Sequence, residues 1–178
     1  TQNGLIKYDG RNFTHINTEE GISNSRIFDI RIVESGKIWI ATSGGVNIYD
    51  PNSFQYSKVL SNAAVRSIFQ DSKGNLWFGT GKNGVYKYDG QHYYQFTEDQ
   101  GFFNRNSGIW AIEEDNDGNI WFGADRGAGI LKYDGLNKST TSETNRRGTF
   151  THYSPKDGSN SLLFVFVNSL IKDKHYRL

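Results

Sequence analysis

The sequence contains no cysteine and no methionine among its 178 residues, and only two prolines. Without cysteine the chain has no disulfide framework, no thiolate metal site and no thiol nucleophile. The formal net charge is +1, from 20 basic and 19 acidic residues, which argues against the clustered basic face that binds nucleic acid. No apolar run approaches the roughly 20 residues of a membrane-spanning helix. We therefore expect neither a nucleic-acid partner nor a membrane segment in this chain.

Aromatic residues and glycine are abundant instead. There are 12 Phe, 10 Tyr, 4 Trp and 20 Gly. Aromatic and β-branched residues interrupted by Gly, Asn and Asp are typical of short strands joined by tight turns. The composition therefore indicates an all-β fold.

One short phrase centred on tryptophan occurs three times. It reads KIWIAT at 37–42, NLWFGT at 75–80 and NIWFGA at 119–124, so the tryptophans are separated by 38 and 44 residues. A second landmark, a Tyr-Asp pair, recurs at similar intervals. Both landmarks give a period of about 40 residues, which is the length of a propeller-blade repeat. The Tyr-Asp pairs are at 8–9, 49–50, 88–89 and 133–134.

Each period divides into four short segments. In the second period these are VRSIFQD (65–71), the Trp phrase (75–80), GVYKYD (84–89) and YYQF (93–96). Four strands joined by hairpin turns form one propeller blade, and stacked blades bury their faces against each other. The pattern predicts a β-propeller of four-stranded antiparallel blades with about four repeats. These form a small propeller, a segment of a larger one, or a ring closed between chains.

The predicted organisation is a single repeat array over residues 1–178. A polar insertion at 136–149 is expected to be a surface loop. The fourth blade combines both ends of the chain and lacks a Trp strand. The predicted blades are about 23–59, 63–98, 107–154, and 165–178 together with 1–18.

The repeats resemble those of the two-component regulator propeller family. VRSIFQDSKGNLWFGTGKNGVYKYDG (65–90) matches the family pattern almost throughout, and EEGISNSRI (19–27) resembles its connecting phrase. The resemblance implies a sensor, because such repeats form extracytoplasmic propellers of hybrid two-component systems that recognise carbohydrate breakdown products. An oligosaccharide ligand and a periplasmic or extracellular location are expected from this resemblance alone.

Positions at which the repeats disagree are the best binding candidates, because a structural role needs the same residue in every blade. One column of the first strand contains a different residue in every repeat: Phe28, Arg66, Trp110 and Asn168. By the resemblance, the loops that precede this strand, which include 103–106, rim the central channel. Trp110 is the only Trp outside the repeated column. Aromatic faces with Arg and Asn donors suit sugar rings; the alternative is a wedge filling the axis or a solvated loop. The candidates are Trp110, Arg105, Asn106, Arg66, Phe28, Arg26, Asn24 and Asn168, with Lys82 and Arg126 ranked lower.

No motif predicts a metal, a cofactor or a catalytic group. DNDGN (115–119) resembles the start of an EF-hand loop, but its twelfth position is Arg126 instead of Glu, so a hairpin turn is the better interpretation. His15 and His152 occupy equivalent positions on the outermost strands of different blades. We expect them to be ordinary surface histidines.

Three functional hypotheses remain open. The sequence favours a non-enzymatic ligand-binding sensor module. The second hypothesis is a structural or protein-interaction scaffold in which two copies close a ring, since incomplete blades leave strand edges. The third, favoured least, is a lyase like those with related propeller repeats, which place a His and a Glu near the channel. Here no His falls in the axial column, and Glu113 and Glu114 have no partner placed by the repeat.

Overall fold

The structure, a computed structural model, describes residues 1, 3–53, 55–103, 106–135, 148–153 and 166–172. The chain divides into two compact units, Thr1–Ile68 (unit 1) and Phe69–Leu178 (unit 2). Over these described residues the secondary structure is all-β apart from one turn of 3₁₀ helix, Glu98–Gln100. Among the residues that the structure describes, no helix is long and apolar enough to cross a bilayer.

Unit 1 contains a two-stranded sheet and a four-stranded sheet, both antiparallel. Ile22, Ile27 and Ile40 form one buried cluster of this unit, and Leu5 and Ile16 of the smaller sheet pack against them. The strand Ile38–Thr42 of the larger sheet is buried along almost its whole length, whereas both strands of the smaller sheet are mostly exposed. The two-stranded sheet comprises β1 (Leu5–Tyr8) and β2 (Phe13–Ile16); the larger sheet comprises, in spatial order, β3 (Ile27–Ile32), β4 (Ile38–Thr42), β5 (Gly45–Asp50) and β6 (Gln55–Val59).

Two further four-stranded antiparallel sheets follow, and the boundary between the units falls within the strand Val65–Gln70. In each sheet the strands are ordered as they occur in the chain, so every connection is a hairpin. The first sheet comprises β7 (Val65–Gln70), β8 (Leu76–Thr80), β9 (Val85–Tyr88) and β10 (Tyr93–Phe96); the second comprises β11 (Ile109–Glu114), β12 (Ile120–Ala124), β13 (Ile130–Tyr133) and β14 (Phe150–Tyr153).

Trp77 lies at the centre of the core of unit 2 and is only 1% exposed. Its ring is 5.7 Å from that of Phe122 and 5.5 Å from that of Tyr133, both edge-on and both in the neighbouring sheet. On its own sheet it contacts Phe96, with 5.8 Å between ring centroids. A Trp buries roughly 150–250 Å², so this single side chain supplies much of the contact between the two sheets.

A buried carboxylate joins the Trp strand to the turn before it. Asp71 accepts hydrogen bonds from the indole N–H of Trp77 at 2.9 Å and from the side-chain amide of Asn75 at 2.8 Å. The backbone N–H groups of Asn75 and Lys73 donate to the same carboxylate, at 2.8 and 3.0 Å. The β3–β4 turn has Val33 at the position of Asp71. The arrangement recurs in the β11–β12 turn with Asp115, Asp117, Asn119 and Trp121.

The fold predicted from the repeats, all-β with four-stranded antiparallel blades, is confirmed. The chain's last segment differs from the strand that the repeat predicts at 167–173. Residues 166–172 form no strand, and the N–H of Val167 donates to the carbonyl of Ala124 at 2.9 Å. Most of the predicted insertion loop, 136–147, and residues 173–178 of the fourth blade lie outside the described residues.

Candidate functional site

Phe28, the first of the variable positions, is the extra residue of a β-bulge in unit 1. Ile27 pairs with Thr42 and the next residue in register, Asp29, opposes Ala41, so Phe28 is the additional residue at the register shift. A bulge bends its strand and turns the additional side chain away from the regular alternation. The direction of Phe28 is therefore set by the bulge.

Arg66 and Arg26 both lie against the Phe28 ring. The guanidinium carbon of Arg66 is 4.3 Å from the ring centroid, and that of Arg26 is 6.0 Å away. Both distances fall within the range of cation–π attraction. The side-chain oxygen of Asn24 accepts a hydrogen bond from the backbone N–H of Arg26 at 2.8 Å. Unit 1 thus brings together four of the eight predicted residues.

Two side chains of β3 hold the backbone that carries Arg66. Asp29 accepts a hydrogen bond from the N–H of Ile68 at 2.8 Å, and the Nε of Arg31 donates to the Ile68 carbonyl at 2.8 Å. Arg31 and Asp29 are also 3.6 Å apart as an ion pair. Because Ile68 is only two residues after Arg66, this clamp fixes the position from which Arg66 reaches Phe28.

Trp110 of unit 2 is also the extra residue of a β-bulge. Ile109 pairs with Ala124, whereas Ala111 pairs with Gly123. The indole N–H of Trp110 donates to the buried carboxylate of Asp125 at 3.0 Å. The same position of the first strand is therefore bulged at Phe28 and at Trp110.

Asp125 organises the loop around Trp110. Its other oxygen accepts the N–H of Gly108 at 2.7 Å, and its own N–H donates to the Gly108 carbonyl at 3.0 Å. The next residue, Arg126, adopts a left-handed φ of 56° and places its Nε 4.0 Å from Asp125. The indole is thus held in one orientation by a carboxylate that is itself tied to the backbone.

Phe166 lies beside Trp110, with 5.3 Å between the ring centroids. Its side chain is 46% exposed, and Trp110 is half-buried. Two other predicted residues, Asn106 and Asn168, are exposed in the same unit. Arg105, together with Asn104, lies outside the described residues.

Asp125 and Phe166 belong to this group but were not among the residues predicted from the sequence. Asp125 follows the Trp strand at the position where the other blades have Ser43 and Gly81. The comparison of variable columns, extended to that loop, would have found it. Phe166 has no such signal, because it lies in the segment that departs from the repeat.

A separate cavity of about 230 Å³ opens in unit 2 beside the 3₁₀ turn. The buried ring of Phe103 and the backbone of Gly84 line it together with six polar or charged residues. The amide of Gln95 is fixed there by a hydrogen bond of 3.0 Å to the Asn83 carbonyl. The cavity is lined by Lys82, Asn83, Gly84, Gln95, Thr97, Glu98, Asp99 and Phe103.

The two equivalent histidines are engaged by backbone carbonyls. The Nε2 of His15 donates to Asn3 at 2.6 Å, and that of His152 donates to Gly101 at 2.7 Å. Because a carbonyl only accepts, the ring nitrogen is the donor in each of these hydrogen bonds. Over the described part of the chain, no three His, Asp or Glu side chains are grouped so as to hold a metal ion.

Two stretches of the chain match the model of a known repeat family. Residues 59–82 and 105–126 match the two component regulator propeller family. These stretches contain the first strand and the Trp strand of the second and third blades. The resemblance predicted from the sequence is confirmed. No curated protein sequence is significantly similar to the chain.

Solved structures with a similar fold include the extracellular domains of two hybrid two component systems of B. thetaiotaomicron. That of BT4673 is 22% identical with a TM-score of 0.76, and the match covers 98% of this chain and 23% of that one. That of BT3049 is 26% identical with a TM-score of 0.65, and the match covers 86% and 20%. The virginiamycin B lyase of Staphylococcus aureus is 20% identical with a TM-score of 0.54, covering 75% and 43%. The chain therefore spans less than a quarter of the length of the two extracellular domains.

Proposed function

We propose that this chain, which carries two component regulator propeller repeats, is a non-enzymatic ligand-binding module of an extracytoplasmic sensor, and that its ligand is an oligosaccharide. The location and the sensor role follow the extracellular domains to which the fold is similar. The saccharide follows the family resemblance and the chemistry of the variable positions.

The observation that carries the proposal is the pair of β-bulges. Phe28 and Trp110 differ between blades, and each is the additional residue at a shift in strand register. Bulges are over-represented next to functional sites, where they redirect a side chain. A residue that only packed blades together would keep its place in the alternation, as Trp77 does.

Trp110 has the features of a preformed sugar platform. Its N–H is committed to Asp125, so its rotamer is fixed before a ligand arrives. Its half-buried ring and the exposed ring of Phe166 form an apolar surface. A preorganised ring loses little conformational entropy on binding, which favours affinity. The polar side chains of Asn106 and Asn168, exposed in the same unit, suit the hydroxyl groups of a sugar.

The test is a saccharide screen followed by calorimetric titration of the whole chain. We expect saturable binding that Trp110→Ala weakens at least about tenfold, as for a central aromatic contact, and that Trp110→Phe weakens less. Tyr94→Ala is the matched control, because Tyr94 is an exposed aromatic residue of the same unit outside this group. Binding that is unchanged in Trp110→Ala, or absent for every saccharide, would contradict the proposal.

The enzymatic alternative receives less support from the fold comparison. The sensor domains superpose with TM-scores of 0.76 and 0.65, against 0.54 for the lyase. His15 and His152 are engaged on outer strands, away from the variable column of the first strand. A lyase role would be established by turnover that His15→Ala or His152→Ala abolishes.

A second candidate function, self-assembly, is favoured by the smaller sheet of unit 1. Ile6, Tyr8 and Phe13 are 70, 58 and 75% exposed, and the rings of Tyr8 and Phe13 stack at 4.7 Å. Among the described residues β1 pairs only with β2, so one of its edges is open. Exposed apolar strands with open edges associate with other chains. Light scattering over a concentration series tests this: a dimer has twice the chain mass of 20.2 kDa, and Ile6→Lys should return it to a monomer.

A further inference from the structure

The ring of Phe28 is in contact with two guanidinium groups, so its face is not open for a sugar to stack on. At 4.3 Å from the ring centroid, the Arg66 guanidinium stacks directly on the ring, and Arg26 approaches to 6.0 Å. A sugar stacking on Phe28 would first have to displace Arg66. The ring of Phe28 is therefore covered by guanidinium groups, of which that of Arg26 belongs to an exposed residue.

The remaining polar atoms of the group are also donors. A guanidinium has five N–H donors and no acceptor. The oxygen of Asn24 already accepts the N–H of Arg26, which leaves the NH₂ of Asn24 for a ligand. A group made of donors selects a ligand rich in acceptors.

The local charge is positive. Asp29 is the acidic side chain next to Phe28, and its two oxygens accept the backbone N–H groups of Ile30 and Ile68. The same carboxylate faces Arg31 at 3.6 Å. The three Arg side chains and one Asp of this group therefore carry two net positive charges.

From these observations we infer that the Phe28 group in unit 1 binds the anionic group, a carboxylate or a sulfate, of an acidic saccharide. Planar guanidinium groups pair with such oxyanions through two parallel hydrogen bonds. Stacking on an aromatic ring fixes the plane of the guanidinium group. The inference rests on the proposed function, since it specifies the charge of the ligand at one of the proposed positions.

The experiment compares saccharides that differ only in charge, titrated into the whole chain. Trigalacturonate is paired with neutral galactotriose, and 6-sulfated N-acetyllactosamine with its unsulfated form. We expect the acidic member of at least one pair to bind at least about tenfold more tightly than the neutral one. Raising the salt concentration from about 0.05 to about 0.5 M should reduce that preference, because ions screen the charges.

Three substitutions locate the effect. Arg26→Gln and Arg66→Gln should each reduce the acidic-over-neutral preference about tenfold, and Arg66→Lys should restore only part of it because it lacks the planar fork. Arg11→Gln is the matched control, since Arg11 is an exposed arginine in a turn of the same unit. Arg26 is itself exposed, so its variant is expected to fold even if Arg66→Gln lowers the melting temperature.

The outcomes separate this inference from the proposed function. Equal or tighter binding of the neutral saccharides, still dependent on Trp110, would overturn the inference and leave the proposed function standing. An acidic preference that survives both Arg→Gln substitutions would also overturn it. The absence of binding to any saccharide would refute the proposed function and the inference together. The two pairs distinguish a carboxylate from a sulfate as the recognised group.

Discussion

Replacing Asp71 with alanine is expected to destabilise unit 2 by about 3 kcal/mol. Asp71 is 7% exposed, and its carboxylate accepts the indole N–H of Trp77, a residue that is 1% exposed. Without the carboxylate that N–H is buried and unsatisfied, at a cost of about 1–3 kcal/mol. The hydrogen bonds from Asn75 and the turn N–H groups are nearer water, and each contributes about 0.5–1 kcal/mol. Relief from burying a charge offsets part of the sum.

Urea unfolding followed by tryptophan fluorescence measures this change. Unit 2 contains Trp77, Trp110 and Trp121, so the signal reports largely on it. The midpoint should fall at an unchanged denaturant slope. Asp71→Asn should cost a similar amount, because its new NH₂ would face other donors.

The matched control for Asp71 is Asp117→Ala in the equivalent turn of the next sheet. Asp117 is exposed, and only its backbone N–H joins the carboxylate network. Its substitution should change stability by less than about 0.5 kcal/mol. A loss of under about 1 kcal/mol in Asp71→Ala, or equal losses in both variants, would refute the reasoning.

Three further predictions concern titration and backbone conformation. Burial acts to raise the pKa of Asp115, but hydrogen bonds from its turn and from the Trp121 indole outweigh burial, so the pKa lies below the usual 3.8. The stabilisation that the Asp115 carboxylate gives the fold is fully present above the usual pKa and is lost as the pH falls through the lowered pKa of the folded state. The acid-unfolding curves of wild type and Asp115→Asn should therefore converge there. Burial, aided by a neighbouring carboxylate, raises the pKa of Tyr133 to about 12, so the ultraviolet difference titration between wild type and Tyr133→Phe should have its midpoint near that value, whereas a midpoint at the usual 10.0 would contradict the burial. Gly84→Ala should destabilise by more than about 3 kcal/mol in thermal unfolding, since φ is +71° and the new Cβ would overlap the Phe96 carbonyl; Gly74→Ala, at φ +82° in open space, should cost only about 1–2 kcal/mol.

The fold could be predicted from the sequence because each repeat reports it independently. The Trp phrase and the Tyr-Asp pair define the same period, and each marks a strand in the sheets observed. The exception is instructive. VNSLIKD at 167–173 resembles the first strand of the other blades, yet residues 166–172 form no strand. A segment that resembles the repeat has the composition of a strand, but hydrogen bonds to a neighbouring strand are what stabilise it.

The candidate site was only partly visible in the sequence. Variation between repeats identified Phe28 and Trp110, since a position released from packing is free to differ. The bulges depend on register against the next strand, and neighbouring side-chain identities do not encode that register directly. The stacking of Arg66 on Phe28 depends on how β3 and β7 are placed in space. It therefore required the structure.

The burial of the Asp125 carboxylate is a second feature that the sequence does not predict. The repeat alignment places it in a loop column with Ser43 and Gly81, where a charged residue reads as solvent-exposed. In the structure it is buried between the Gly108 backbone and the Trp110 indole. Its importance comes from a bond to a residue 15 positions away, which no local pattern shows.

The two bulges have a consequence for how such a protein can change. A residue outside the ladder can be replaced without altering the pairing of the residues on either side, so positions 28 and 110 can take new side chains while Trp77 and its equivalents keep the blades together. Under the proposed function, ligand preference and blade stability are encoded in different columns of the repeat. A library randomised at positions 28 and 110 should yield mostly folded proteins that differ in what they bind. The same library built at position 77 should yield few folded proteins.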